Sequence, residues 1–477
     1  MNESRRPTVV IVGGGITGLS AAWELRHAAE SGVNVIVLEA DDRWGGKVLT
    51  QTMPGPDGGR FVIDAGPDSL VTRKREIWTL VRELGLAERV IDPGAEARGT
   101  YVLDGGRPVR LPLDPVSFAR SPLLSWRGKL RLLAEPFMPA KGDDADESLA
   151  DFVTRRLGRE ALEKFIGPVL GGIYNANPET QSILVTSPVM RRMEARHRSL
   201  FLAAVAMARA RRKMAATEPH PPPYRFINFR EGMGEMVDAL AAQLPADLRL
   251  NTPVDRIEAE GRQWAVVVGG DRLAVDAVIL AVPANRAAAM LAGAAADAAG
   301  LLRAIRHNTI GTVSLAYPAA DMHLAVPIRG LMIPRRERRR IDAVVYTSAK
   351  LPQRAPAGYG LLRVFFGGGD PSLATAPEAA VVAAVRAELR DLLGLEAVPV
   401  GHVIARWPDS YAQADVGHLE RVAAIEVALP PGLFVAGGSY RGLAVPDCVS
   451  QGRQAGALAL AFVADAEVSE GNYRLPK

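Results

Sequence analysis

The sequence predicts an α/β protein in which a nucleotide-binding sheet is assembled from discontinuous segments, with an antiparallel-sheet block and a helical block inserted between them. Three observations carry this reading: a glycine-rich strand-turn-helix unit at the start, two later segments that return to the same pattern, and two intervening stretches of different periodicity. Residues 8–39 read TVVIVGGGITGLSAAWELRHAAESGVNVIVLE, so Gly13, Gly14 and Gly15 separate an apolar run from a helix opening at Ile16 and Thr17. Gly13 permits the tight turn, Gly15 lets the backbone approach a pyrophosphate, and Gly18 lets the helix pack on its strand. The amides at the helix start face the phosphates. The next apolar run closes on Glu39, about 20 residues beyond Gly18, where an acid accepts hydrogen bonds from ribose hydroxyls. A bare GxGxxG could be a flexible loop. Here the preceding strand, the following helix and the terminal acid all agree, which makes the unit Rossmann-like.

At 477 residues and 48% hydrophobic the chain can bury more than one core, and two or three domains are expected. The second piece of the nucleotide-binding sheet is FREGMGEMVDALAAQL from Phe229, then LRLNTPVDRIEAEGRQWAVVV and VDAVILAVPA. Its periodicity reads as helix, strand, two-strand hairpin and buried strand. The third piece, GLFVAGGSYRGLAVPDCVSQGRQAGALAL from Gly432, places a strand ending at Ala436, glycines including Gly438, and a helix starting near Val445. The amino end of that helix would stabilise an anionic ring in front of it. The stretch from Leu113 to Met214 has helical periodicity and no convincing strand. That from Ile305 to Arg406 alternates apolar and polar residues, as an antiparallel sheet does. The expected domains are residues 1–87, 229–290 and 405–470 for the nucleotide, 88–112, 215–228 and 291–404 for the substrate, and 113–214 as a helical insertion. EPHPPPYRF, from Glu218, is a rigid connector.

Composition narrows the partners. A net charge of +4 does not imply a nucleic-acid partner. Basic clusters at Arg191–Arg198, Arg209–Lys213 and Arg335–Arg340 read as solvated faces, with peripheral membrane contact as the second reading. The single cysteine, Cys448, excludes an internal disulfide and fits a reducing, cytoplasmic setting. No secretory signal precedes the first strand, and no apolar run reaches spanning length. The alanine-rich runs Ser199–Ala208 and Ala455–Ala464 are expected to pack inside the globule.

Asp42–Thr50, DRWGGKVLT, resembles the RxGG motif of flavoproteins with two dinucleotide-binding domains, with Arg43, Gly45 and Gly46 in the matching places. There the segment lies over the FAD pyrophosphate, where an arginine gives charge-assisted hydrogen bonds and glycines let the chain pass close. DAGPDS at Asp64–Ser69 follows where that family returns along the flavin. Beyond the fingerprint, GPDSL at Gly66, LGGIYNANPE at Leu170, RWPDSY and GHLERV within Arg406–Val422, and GGSYRGLAVPDC at Gly437 resemble the protoporphyrinogen/coproporphyrinogen III oxidase family, from about Thr8 to Ala464. The resemblance implies non-covalent FAD held by Gly13–Gly18, Glu39, Ala40, Arg43, Gly45, Gly46, Lys47, Gly66, Pro67, Asp68, Ser69, Val254, Trp407, Gly438, Leu443, Ala444 and Val445. In that family Val254 stands where a backbone amide and carbonyl hold the adenine. A thioether to Cys448 is not expected, because Cys448 follows the last FAD strand.

The same resemblance implies a porphyrinogen substrate, dioxygen as acceptor, and a product handed to a ferrochelatase. A porphyrinogen becomes aromatic by losing six hydrogens, so the protein needs to position a meso C–H at flavin N5 and exclude water rather than supply acid or base. That fits a sequence with no catalytic triad and no metal-ligand spacing. Arg98 matches the family arginine that pairs with a propionate. Met332, Val345 and Phe365 match the residues that sandwich the macrocycle, and Gly172 and Tyr174 would line the other wall. Lys74 resembles a lysine of the coproporphyrinogen branch, and Arg329 stands where other members place an aromatic. Both add positive charge, which favours four propionates over two, with protoporphyrinogen IX as the alternative substrate. A flavin amine oxidase and a carotenoid desaturase are the more distant alternatives.

Overall fold

The computed structural model describes residues 5–30, 32–72, 75–92, 99–112, 114–215 and 226–471. Thr8–Val12 is a fully buried strand and pairs in parallel with Asn34–Leu38 on one side and Ala277–Leu280 on the other. Asp247–Arg249 and Leu433–Val435 complete a five-stranded parallel sheet, drawn from three separated parts of the chain. A parallel sheet must be covered on both faces. One face packs Ile11 and Val37 against the helices Ile16–Glu30, Gly234–Gln243 and Val445–Gly471, through Leu19, Leu25, Leu240 and Ala459. The other packs Val10, Val12, Val278 and Leu280 against Trp264 and Val266 and the helices Ala284–Met290 and Ala296–Arg303.

The expected hairpin after Val254 is a three-stranded antiparallel meander, Arg256–Glu260, Gln263–Val268 and Asp271–Val275. The run VDAVIL is therefore divided. Val275 ends the meander, and Asp276 breaks the strand because its carboxylate accepts a hydrogen bond from the Thr8 amide at 2.8 Å.

A second sheet of seven strands runs in the order 401–412, 307–318, 359–366, 341–346, 328–332, 99–104, 107–110. Its pairs are antiparallel except one, Ile328–Met332 against Gly99–Asp104, which is parallel with a bulge between Ile328 and Gly330. The exception arises because the hairpin Gly99–Arg110 comes from a distant part of the chain and docks on a free edge. The outer face is covered by Glu378–Leu393, a helix absent from the expectation of alternating strands in this block. Its Val381, Val385 and Leu389 meet Leu315, Val344 and Leu362. The inner face is left for the cavity.

Between 114 and 215 the described residues form helices and no strand, as the periodicity implies. They are tied together by charge. Arg156, fully buried, pairs with Glu135 and lies 3.7 Å from Glu194, which also binds Arg155 at 2.5 Å and Arg191 at 3.0 Å. The helix Leu200–Ala215, expected to be internal, is not. Phe201 is 60% exposed, because only one side of this helix has a neighbour to pack on.

A two-stranded ribbon, Thr50–Pro54 with Arg60–Asp64, is tied by a buried ion pair to the turn Pro352–Arg354 that leads into the seven-stranded sheet. Asp64, at the end of the strand Arg60–Asp64, accepts from Thr50 Oγ1 at 2.6 Å, the Met233 amide at 2.8 Å and Asn228 Nδ2 at 2.9 Å. Arg354, fully buried, reaches Asp64 at 3.2 Å and donates to the carbonyls of Phe229 and Arg230 at 2.9 Å each. Removing one partner of such a pair strands the other charge. Arg354→Met is therefore expected to lower stability by about 3–5 kcal/mol, read as a drop in the urea midpoint with an unchanged slope.

Candidate active site

One cavity of about 1340 Å³ runs between the end of the parallel sheet and the inner face of the seven-stranded sheet. That exceeds the ~300–1,000 Å³ of an ordinary single-ligand pocket, and suits a dinucleotide together with a second large molecule. Gly13, Gly15, Ile16, Thr17, Glu39, Arg43, Gly45, Gly46 and Lys47 line it. So do Gly66, Pro67, Asp68, Ser69, Trp407, Gly438, Leu443, Ala444 and Val445. Met332, Val345 and Phe365 line the same space from the strands opposite.

The nucleotide half is shaped by backbone constraints that fit a pyrophosphate. Gly13 has φ of +106°, and a Cβ there would lie 2.8 Å from the Ala281 carbonyl oxygen. A Cβ on Gly18 would lie 1.9 Å from the Gly13 carbonyl oxygen, so the helix sits directly on the turn. Gly14 and Gly18 therefore serve packing and do not line the cavity. Glu39 accepts hydrogen bonds from the Gly14 amide at 2.6 Å and the Asp41 amide at 2.9 Å, which fixes its carboxylate at the strand end. Arg43 donates to the Gly46 carbonyl at 2.7 Å, and its guanidinium lies 6.0 Å from the centre of the Trp407 ring. This cradle of amides, an acid and a cation fits a dinucleotide. Ala40 is exposed outside the lining, and Val254 is buried in the core beside the meander, in a loop anchored to Glu39 by the Thr252 amide at 2.8 Å.

Lys47 and His307 meet deeper in. Burial lowers the Lys47 pKa, with Cys448 opposing. Burial also lowers that of His307, opposed by the Ile305 backbone and reinforced by Lys47. His307 Nε2 lies 3.2 Å from Ser439 Oγ. His418 starts the helix His418–Ala428, and its Nε2 lies 2.8 Å from the Tyr440 carbonyl oxygen.

On the sheet side the structure brings in residues that the sequence did not single out. Arg363 is buried, with Nη2 donating to the carbonyls of Ala65 at 2.7 Å and Gly66 at 2.5 Å, and its guanidinium 4.6 Å from the Phe365 ring centre. Lys350 Nζ binds Asp68 Oδ1 at 2.8 Å. Both cations hold the GPDS segment against the sheet. A signal existed for Arg363, since LLRVFF places one charge inside an apolar strand. Asn175, Arg335 and Asp342 also line the cavity, and nothing in their spacing marked them.

The resemblance also implies substrate contacts from Lys74, Arg98, Gly172, Tyr174 and Arg329. Lys74 and Arg98 lie outside the described residues. Gly172 and Tyr174 lie on the helix Gly167–Tyr174, whose neighbours Gly167, Pro168 and Val169 line the cavity. Arg329 does not line the cavity: it sits at the bulge of its strand, out of step with Gly330 and Met332.

Burial alone would raise the Asp68 pKa, but Lys350 and Arg363 outweigh it and bring it down to about 2. A depressed carboxyl pKa contributes stability that is complete above its unfolded value of ~3.9 and fades as pH falls toward the folded value. Urea midpoints should therefore fall between pH 5 and pH 2.5 more steeply in the wild type than in Asp68→Asn. Equal slopes would show that the pair contributes nothing.

The sequence profile of flavin containing amine oxidoreductases matches residues 16–460. The coproporphyrinogen III oxidase of Propionibacterium freudenreichii subsp. freudenreichii is 33% identical, covering 93% of this chain and 89% of the relative. Protoporphyrinogen oxidase 2, chloroplastic/mitochondrial, of Arabidopsis thaliana is 26% identical over 95% of this chain and 94% of its own. Among solved structures, one from Exiguobacterium sp. 255-15, provisionally named a protoporphyrinogen oxidase, superposes with a TM-score of 0.81 at 26% identity, covering 96% of this chain and 99% of that one.

Proposed function

Because the chain belongs to the flavin containing amine oxidoreductases, in the branch of the coproporphyrinogen III and protoporphyrinogen oxidases, we propose that it oxidises coproporphyrinogen III to coproporphyrin III at a non-covalently bound FAD. The observation that carries this reading is the single cavity in which the nucleotide fingerprint and the wall of Met332, Val345 and Phe365 face the same space. FAD, when bound, accepts a hydride at each of three steps and passes the electrons to dioxygen, so three O2 give three H2O2.

The residues of this chain supply binding, orientation and exclusion of water. Glu39 would take the ribose hydroxyls, the amides after Gly15 the pyrophosphate, and Arg43 its charge. Met332, Val345 and Phe365 offer a flat apolar face to a macrocycle, and Asp68 keeps the segment between flavin and sheet in place through Lys350. Coproporphyrinogen III is favoured over protoporphyrinogen IX by the higher identity to the relative of that name. Lys74 and Arg98 remain the proposed propionate partners.

Purified holoenzyme should release H2O2 and form porphyrin with coproporphyrinogen III at a kcat/KM at least tenfold above that with protoporphyrinogen IX, and acid precipitation should leave FAD in the supernatant. A reversed preference, or peroxide from a primary amine and neither porphyrinogen, would overturn the assignment. Flavin retained in the pellet would refute non-covalent binding.

The protein is further proposed to work in the cytoplasm against a membrane surface, from which its product could pass to a ferrochelatase. No helix among the described residues is long and apolar enough to cross a membrane. The helical insertion does present an apolar face. Trp126, Leu130 and Leu133 share one side of the helix Trp126–Leu133, with Trp126 77% and the nearby Phe137 84% exposed. Arg120, Arg127 and Lys129 surround them, a composition that suits the interface of an anionic bilayer. The holoenzyme should sediment with vesicles containing anionic lipid, and the double variant Trp126→Ser, Phe137→Ser should reduce the bound fraction several-fold. Identical sedimentation of both proteins would sink this placement.

A further inference from the structure

The run RRERRR, Arg335–Arg340, reads in sequence as a solvated face, and the structure separates its members. Arg336 donates to Asp104 Oδ1 and to the Glu163 carbonyl at 2.7 Å each. Arg339 pairs with Asp391 and with Glu388, and Arg340 binds Asp370 at 2.8 Å. The Arg335 side chain makes no ion pair or hydrogen bond among the described residues, and of the run only Arg335 and Arg336 line the cavity. It is held there by the short helical turn Arg335–Glu337, which follows Pro334.

Asn175 faces the same part of the space. Its backbone has φ of +43°, and its carbonyl accepts Asn308 Nδ2 at 3.0 Å, so its position is fixed. Its own Nδ2 is buried and has no hydrogen-bond partner among the described residues. A buried amide donor without an acceptor is unfavourable, and a cavity-lining one is a place where a ligand acceptor belongs.

The two residues are connected through Asp342 and Gly368. A Cβ on Gly368 would lie 2.2 Å from Asn175 Oδ1 and 2.8 Å from Asp342 Oδ1, which places those two side chains side by side. Asp342 spends its oxygens on the Gly368 and Gly369 amides, at 2.9 and 2.6 Å. Burial raises its pKa, with those amides and then Arg335 opposing. The Ile333 amide donates to the Asp342 carbonyl at 3.0 Å, and the turn that begins two residues later carries Arg335 beside Asp342 without pairing to it. Its charge is available to a second carboxylate.

We propose that Arg335 and Asn175 form a carboxylate-binding subsite on the sheet side of the cavity, and that it takes a propionate of the macrocycle that Lys74 and Arg98 do not hold. The inference rests on the porphyrinogen reading for the identity of its ligand. A guanidinium and an amide are complementary to the two oxygens of a carboxylate. A substrate with four propionates gains from this subsite and one with two gains less, so the pair would contribute to selecting between them.

The test is titration of holoenzyme with coproporphyrin III and protoporphyrin IX, followed by porphyrin fluorescence, in parallel with steady-state kinetics on the two porphyrinogens. Arg335→Gln should weaken coproporphyrin III binding roughly 5- to 10-fold and lower the kcat/KM ratio of the tetrapropionate to the dipropionate substrate by a similar factor, with Arg335→Lys recovering part of both. Asn175→Gly keeps the positive φ and removes the amide, so it should fold normally and weaken coproporphyrin III binding roughly threefold. Arg338→Gln, on an exposed side chain outside the cavity, controls for net charge. An equal loss in Arg335→Gln and Arg338→Gln, or coproporphyrin III binding as tight as wild type in both Arg335→Gln and Asn175→Gly, would overturn the subsite. A wild-type enzyme that oxidises neither porphyrinogen overturns the functional reading instead, and the porphyrin titrations then decide the subsite alone.

Discussion

One wall of the cavity is held in place by charges largely withdrawn from water, which bind the ribbon and loop around Asp64–Ser69 to the seven-stranded sheet and the turns beside it. Asp64 and Asp68 belong to the glycine-rich side, and Arg354, Lys350 and Arg363 to the other. Bringing these groups out of solvent is costly, and only dense hydrogen bonding offsets it. Asp64 has four partners, and Arg363 is steadied by two carbonyls. The same contacts carry the segment Gly66–Ser69 to the wall of the cavity, so the joint between ribbon and sheet and the lining of the site are one structure.

The nucleotide half was legible because its determinants are local. A turn that only glycine can make, a helix that must sit on that turn, and an acid at a strand end all occur within one short stretch, and their spacing states their geometry. The parallel sheet built from separated pieces was legible for a related reason: each buried strand is a continuous apolar run. The seven-stranded sheet was only half visible. Its alternating strands could be read, but the helix Glu378–Leu393 and the parallel docking of Gly99–Asp104 could not, since edge pairing depends on a hairpin far away in sequence.

The polar residues of the substrate side were the least legible. Arg354 meets Asp64, and Lys350 meets Asp68, only after the chain has folded, and no spacing rule connects them. The run Arg335–Arg340 shows the same limit, because its arginines are alike in sequence and differ in whether each one reaches an acid, and in which. The resemblance puts Arg329 at the substrate, and a bulge takes it out of step with its neighbours. The helical insertion misled differently: alanine-rich periodicity signals a helix, but whether both sides are covered depends on neighbours the sequence does not name.

Glu39 and Arg43 are already tethered by the chain itself, the acid to two amides and the guanidinium to a carbonyl. A receptor whose anchors stand in place beforehand loses little freedom when its prosthetic group arrives. Grip on that group would then come mainly from fit, and loosening either tether would weaken it even with the acid and the guanidinium themselves retained.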